Sequence, residues 1–218
     1  MAKTKMKLKD KIYNGIYEDI IKGEYSVDDI ITEKELIEKY NVSKSPIREA
    51  LIELCNDKVL KSIPRKGYHI SRIMPKEIVD ATEMREIIEL KAFDYIKNNL
   101  NENIIKKLKE YNLETKRIVD QNDVLKHWHR NIGFHLLLCS FYNNDWMSET
   151  LESILNFFTR AAPQYYSKIW EENNEESNFN DNSHHLFIMN LEKRNFDECE
   201  EILKKDIELM KNNLFNGG

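Results

Sequence analysis

Apolar residues recur along the chain with two different periods. Ile12, Ile16, Ile20 and Ile21 stand at helical spacing, and Gly23 follows as a stop. Thr32-Glu33-Lys34-Glu35 has the form of a capping box, opening a short helix with Leu36, Ile37 and Tyr40 inward. Asn41 stands where a tight turn needs a residue tolerant of positive φ. A third helix is predicted from Ser43 or Ser45 onward, with Pro46 in its first turn and Ile47, Leu51 and Leu54 as its inward stripe. After Asp57 the period shortens to that of strands, Val59–Ile63 and Tyr68–Arg72, joined through Pro64-Arg65-Lys66-Gly67.

From Pro75 onward the pattern is helical throughout. Six helices are predicted, over about 76–98, 101–119, 122–141, 145–168, 181–192 and 195–214. The acidic, Asn-rich stretch from Glu171 to Asn182 reads as a loop. Leu136, Leu137, Trp146, Phe157 and Phe158 are expected in the core. The predicted fold is an all-α bundle, residues 76–218, preceded by a small winged helix-turn-helix, residues 1–75, with a two-stranded β wing.

Composition narrows the function. No run of about 18 apolar residues exists, so no membrane span is expected. The basic start lacks the apolar core of a secretion signal. Cys55, Cys139 and Cys199 are odd in number and far apart, which suits a reducing cytoplasm rather than disulfides. No glycine-rich phosphate loop is present.

The net charge of −5 hides a split: residues 1–76 hold 16 of the 33 Lys and Arg but only 12 of the 38 Asp and Glu. A basic N-terminal third on an acidic chain points to one end meeting a polyanion. Lys44 and Arg48, four residues apart, share the outer face of the third helix, with Ser43 and Ser45 beside them. Arg48 can make a bidentate contact to guanine, and Lys44 can reach guanine or phosphate. Lys34 is a phosphate candidate, and Lys66 and Gly67 at the wing tip would approach the backbone or minor groove. Together these predict binding to double-stranded DNA.

These residues resemble the winged helix of the GntR family. Val42-Ser43, Pro46, Arg48-Glu49-Ala50-Leu51 and Gly67 fall in register with its pattern, with Asn41 for the usual turn glycine and Lys44 for the usual arginine. The later helices resemble the helical effector domain (FCD type) of the FadR-like subfamily. Glu83 to Glu89, Asn131 to His135, Asn144 and His185 to Ile188 carry that likeness.

The resemblance implies a cytoplasmic homodimeric regulator that binds an inverted repeat and responds to a small organic acid. It implies a divalent metal, zinc, nickel or manganese, held by Asn131, His135, His185 and Asp206, with Asn where Asp is usual and Asp where the last His is usual. Asn131 and His135, at i and i+4, can chelate from one helix face, and His127 on the same stripe is a reserve ligand. Arg85, Asn144 and Arg160 are the expected effector contacts, though Arg85 could instead pair with Glu89. Two other readings stand beside this one. In the first the bundle is only a dimerisation or protein-interaction module. In the second it is a metal-dependent hydrolase, which would leave the winged helix idle.

Overall fold

The computed structural model of the chain describes residues 7–118, 124–172 and 181–216. It divides into two compact units. One holds the chain up to Ile73 with Ala162–Gln164, and the other holds Met74–Ala161 with the chain from Tyr165.

In the first unit, α1 (Leu8–Ile21), α2 (Glu33–Tyr40) and α3 (Lys44–Asn56) precede an antiparallel pair, β1 (Leu60–Ile63) and β2 (Gly67–Ile70). The core is the predicted one: Ile12, Ile16 and Ile20 of α1 meet Leu36, Ile47, Leu51, Leu54, Leu60 and Ile70. Thr32 makes the capping box with Glu35, and Asn41 ends α2 in the left-handed region at φ 50°. Ser43 is the N-cap of α3, which puts Pro46 in the first turn, where a missing N–H is harmless. Ile31 also pairs with Tyr68 through two backbone hydrogen bonds, of 2.7 and 2.9 Å, so the segment before α2 is tied to the wing. Gly67 lies at φ 140°, and a Cβ there would meet the Ile31 carbonyl oxygen at 2.6 Å. Only glycine fits that approach.

The second unit is all helical among the described residues: α4 (Pro75–Asn99), α5 (Glu102–Ile118), α6 (Val124–Ser140), α7 (Asp145–Glu172), α8 (Asp181–Glu192) and α9 (Phe196–Asn216). The helix α4 packs on α6 and α9, α8 on α9 and α5, and α5 on α6. Phe93, Phe134, Phe158 and Phe187 are its largest fully buried side chains. A β-carbon on Gly133 would fall 1.9 Å from the Tyr111 hydroxyl, so this glycine lets α6 approach α5.

Two expectations are corrected. Trp146 is 80% exposed, because it lies in the first turn of α7, outside the inward stripe of Leu151, Leu155 and Phe158. And α7 continues to Glu172, beyond the expected end near 168, while most of the expected loop, 173–180, lies outside the described residues.

Candidate nucleic-acid interface and metal centre

The two candidate sites lie in different units. On α3, Ser43, Lys44, Ser45 and Arg48 are all exposed. Ser45 donates to Glu49 at 2.9 Å, one turn along. Lys44 Nζ and Arg48 Nε each stand 3.1 Å from a different carboxylate oxygen of Glu33, the first residue of α2. Lys34 is exposed and 4.0 Å from Glu38, too far to be firmly held. Lys66 is exposed in the turn before β2, and Gly67 opens that strand. An array of exposed cations on one helix start and one hairpin turn suits a phosphate-lined groove.

The second site is the opposite kind of environment. His135 of α6, His184 of α8 and Asp206 of α9 are all buried, and one ligating atom from each lies within 4.8 Å of the others. His135 Nε2 is 2.8 Å from Asp206 Oδ2, and His184 Nε2 is 3.5 Å from the same oxygen. Yet His135 Nε2, His184 Nε2 and both Asp206 oxygens have no aligned hydrogen-bond partner. Asn131 Oδ1, one helical turn before His135, is buried and unpartnered as well. Leaving one buried polar atom unsatisfied costs roughly 1–3 kcal/mol. Several together, facing one another rather than partners, are what a cation would satisfy. Two imidazoles, a carboxylate and an amide oxygen therefore fit a divalent metal of the zinc, nickel or manganese kind.

The structure corrects one expected ligand. His185 is exposed, and His184 joins His135 and Asp206 in its place. The apolar stripe of α8, Phe187, Ile188 and Leu191, lies at i+3, i+4 and i+7 from His184 and is buried, so His184 shares the inward face. That spacing was readable in the sequence. Phe134 stacks on the His184 ring at 3.8 Å between centroids and fixes its plane. His129 is exposed, and the side chain of His127 lies outside the described residues.

Behind the cluster stands a chain of buried charges, of which the sequence suggests only the pair of Arg85 with Glu89. Arg85 Nε donates to Glu89 Oε1 at 2.5 Å, and Glu89 Oε2 sits 2.6 Å from His135 Nδ1. A carboxylate on the far nitrogen fixes the ring and its tautomer, as outer partners of metal-bound histidines do. Burial works against every charge here. It drives His184 down to about 4, so this imidazole is neutral. It also opposes a charge on His135, but the neighbouring carboxylates Glu89 and Asp206 prevail and raise it. Burial would raise Glu89 and Asp206 too. Instead Arg85 and His135 lower Glu89, and the two histidines hold Asp206 far below the usual carboxylate range.

Of the expected effector contacts, Arg85 is buried beside the cluster, and its Nη2 lacks a partner. Asn144 caps α7, accepting from the Met147 amide at 3.2 Å, and Arg160 lies over the Phe157 ring. Arg130 was missed: it is buried on α6, donates to Asn112 at 3.1 Å, and its charge helps depress His184. It stands four and eight residues before the buried Phe134 and Leu138, so the helical period already places it on the inward face of α6, where a charged side chain is not expected.

Comparison with known proteins places both units in known families. The family described as "Bacterial regulatory proteins, gntR family" matches residues 8–70, and the FCD domain matches residues 80–209. The chain belongs to the GntR family, with the FCD-type domain of its FadR-like members. Members of this family are transcriptional regulators, not enzymes.

Among the relatives of this GntR-family chain is an uncharacterized HTH-type transcriptional regulator, YdhC, of Bacillus subtilis. It is 26% identical over 66% of this chain and 65% of its own length. The Uxu operon regulator of Haemophilus influenzae is 24% identical over 91% and 78%. The transcriptional repressor RspR of Escherichia coli is 24% identical over 66% and 63%. The chain thus spans somewhat less than two thirds of the length of YdhC and RspR. Among solved structures, E. coli McbR/YncC shares the fold at a TM-score of 0.71 and 19% identity, covering 98% of this chain and 99% of that one.

Proposed function

We propose that this chain is a DNA-binding transcriptional repressor whose affinity for its operator is set by a small organic acid bound with a divalent metal in the helical unit. The observation that carries the ligand-responsive part is the set of buried ligating atoms on Asn131, His135, His184 and Asp206 that lack an aligned hydrogen bond. A protein that needed only a packed bundle would replace such groups with apolar ones at little cost.

DNA binding rests on the first unit. Two copies in a homodimer would place α3 of each in successive major grooves of an inverted repeat. Lys44 and Arg48 would meet base edges, with Ser43 and Ser45 beside them. Lys34, Lys66 and Gly67 would meet phosphates. The chain would act in the cytoplasm; no helix among the described residues is long and apolar enough to cross a membrane.

In the second unit His135, His184 and Asp206, with Asn131, would hold the metal, and Glu89 would orient His135. A bound metal supplies an open coordination position for an anionic ligand. Arg85, with its free Nη2 beside Glu89, would take a carboxylate of the effector. Coupling of about 1–3 kcal/mol between that ligand and the operator is enough for control.

The test is fluorescence anisotropy with palindromic duplexes selected by the protein, with zinc, nickel or manganese and a panel of carboxylic acids. Arg48→Ala and Lys44→Ala are each expected to weaken binding at physiological salt. Unchanged affinity in both overturns the assignment of α3. In the alternative reading the bundle only dimerises, and exposed Met84 and Ile87 on α4 favour that role. Metal analysis of the purified protein, with thermal shifts on adding carboxylic acids, separates the two: no metal and no shift would leave dimerisation alone.

A further inference from the structure

We infer that Glu33 is a positioning and discrimination residue for DNA reading, holding the two cations of α3 in place and reducing their pull on phosphates in general. The inference rests on the reading of α3 as the helix that meets base edges.

The geometry is a two-handed clamp. Glu33 Oε2 faces Lys44 Nζ and Glu33 Oε1 faces Arg48 Nε, each at 3.1 Å, so one carboxylate serves both cations without sharing an oxygen. The side chain of Glu33 is 23% exposed and those of its two partners are 61% exposed, so the anchor is the more enclosed member.

Its backbone is fixed from both sides. Two residues before it, Ile31 is bonded in both directions to Tyr68 of the wing. One residue before it, Thr32 caps α2, accepting from Glu35 N at 3.2 Å while its own amide donates to Glu35 Oε2 at 2.9 Å. A rigid carboxylate thus holds two long side chains that would otherwise sample many rotamers.

The atom that Glu33 takes on Arg48 matters. The guanidinium nitrogen of Arg48 nearest Glu33 is Nε, at 3.1 Å, whereas the two terminal amino groups form the fork that matches O6 and N7 of guanine. Glu33 therefore aligns Arg48 for a base without competing for the donors the base needs. Its negative charge also sits among the cations that phosphates would attract. Binding to random DNA is almost wholly electrostatic, whereas binding to an operator adds base contacts. The clamp should therefore weaken the first more than the second.

The test compares the full-length protein with Glu33→Gln on two duplexes of equal length: one selected from a random pool by the wild-type protein, and one of shuffled sequence, each over a series of salt concentrations. Glu33→Gln is expected to bind the shuffled duplex more tightly, with a steeper salt dependence, and to lose about tenfold in the ratio of specific to non-specific affinity, well within the roughly thousandfold or larger ratios such proteins reach. Glu33→Asp retains the charge at the start of α2 and is expected to recover part of that ratio. It also keeps the measurement available if Glu33→Gln melts too low to assay.

A ratio unchanged in both variants, or affinities for the two duplexes moving by the same factor, overturns the inference. Arg48→Ala, run alongside, tells the two failures apart. If it loses discrimination while the Glu33 variants do not, the clamp is wrong and the reading of α3 stands. If Arg48→Ala changes neither affinity, the reading of α3 is wrong, and the clamp falls with it.

Discussion

The two units carry their polar chemistry in opposite ways. In the first, Lys44, Arg48, Lys34 and Lys66 lie in solvent, where each loses little hydration and two of them share a surface carboxylate. In the second, Arg85, Glu89, His135, His184 and Asp206 are buried together, each stripped of water and dependent on the others. A charge in water can be removed at small cost to the fold, so such a surface is free to vary with the DNA it reads. A buried charge cannot be removed alone, so the second site and the stability of its bundle are one property.

Breaking one partner of the buried chain should have the largest effect. Arg85→Ala leaves Glu89 in the core facing only His135, and a loss of roughly 3–5 kcal/mol in urea unfolding is expected. A loss under 1 kcal/mol would show that water reaches this pair and that the contrast between the units is overstated.

Next comes the choice of histidine. His184→Ala is expected to weaken zinc or nickel binding at least about 100-fold in calorimetric titration, beyond what outer-shell changes cost. His185→Ala, at an exposed position, should leave it within about twofold of wild type. Equal effects would mean that the ligand set is wrong.

Acid provides a third measure, in protein stripped of metal with a chelator. His184 is held down to about 4 from an ordinary 6.5 by burial, so between those values the unfolded chain binds the extra proton. Stability is therefore expected to fall as pH drops from 6.5 towards 4, by at most about 1.4 kcal/mol per pH unit from this group. His135 acts in the other direction. Its value is raised, so its contribution is complete below 6.5 and is lost as pH rises through the elevated folded value. Chemical denaturation across pH should show both limbs. In His184→Asn the acid limb should shrink, and an unchanged acid limb would remove His184 from the account.

The first unit should respond more weakly. Thr32→Ala removes the α2 cap and should cost about 1 kcal/mol. Smallest of all, Lys44→Ala should change thermal stability by less than about 0.5 kcal/mol, because its ion pair is exposed. A larger loss would make the α3 surface part of the fold rather than a reading face.

How far the sequence could be read follows the same division. All five elements of the first unit and the six helices after it were legible, because an amphipathic stripe and a turn residue are local signals. Asn41 and Gly67 show this at single positions: each was expected at a turn, and each has positive φ. Trp146 was misplaced because its size suggested burial, while its place in the first turn of α7 decided exposure. The family motif set on His185 lies one residue out of register, whereas the buried stripe of Phe187, Ile188 and Leu191 points to His184.

Glu89 lies on the inward face of α4 with Ile88, Ala92 and Phe93, so its burial could have been inferred; its contact with His135, 46 positions away, could not. The clamp from Glu33 to Lys44 and Arg48 likewise joins two helices across a turn that local patterning does not measure.

By itself, then, the sequence determined the elements, the capping of α2, the turn at Asn41 and the basic face of α3, since each depends on neighbours within one or two turns. Only the tertiary structure decided which of two adjacent histidines faces Asp206, that Glu89 backs His135, and that Glu33 reaches both cations of α3. Those depend on the packing of α4, α6, α8 and α9 and of α2 against α3, and desolvation and pairing are set by neighbours distant in sequence.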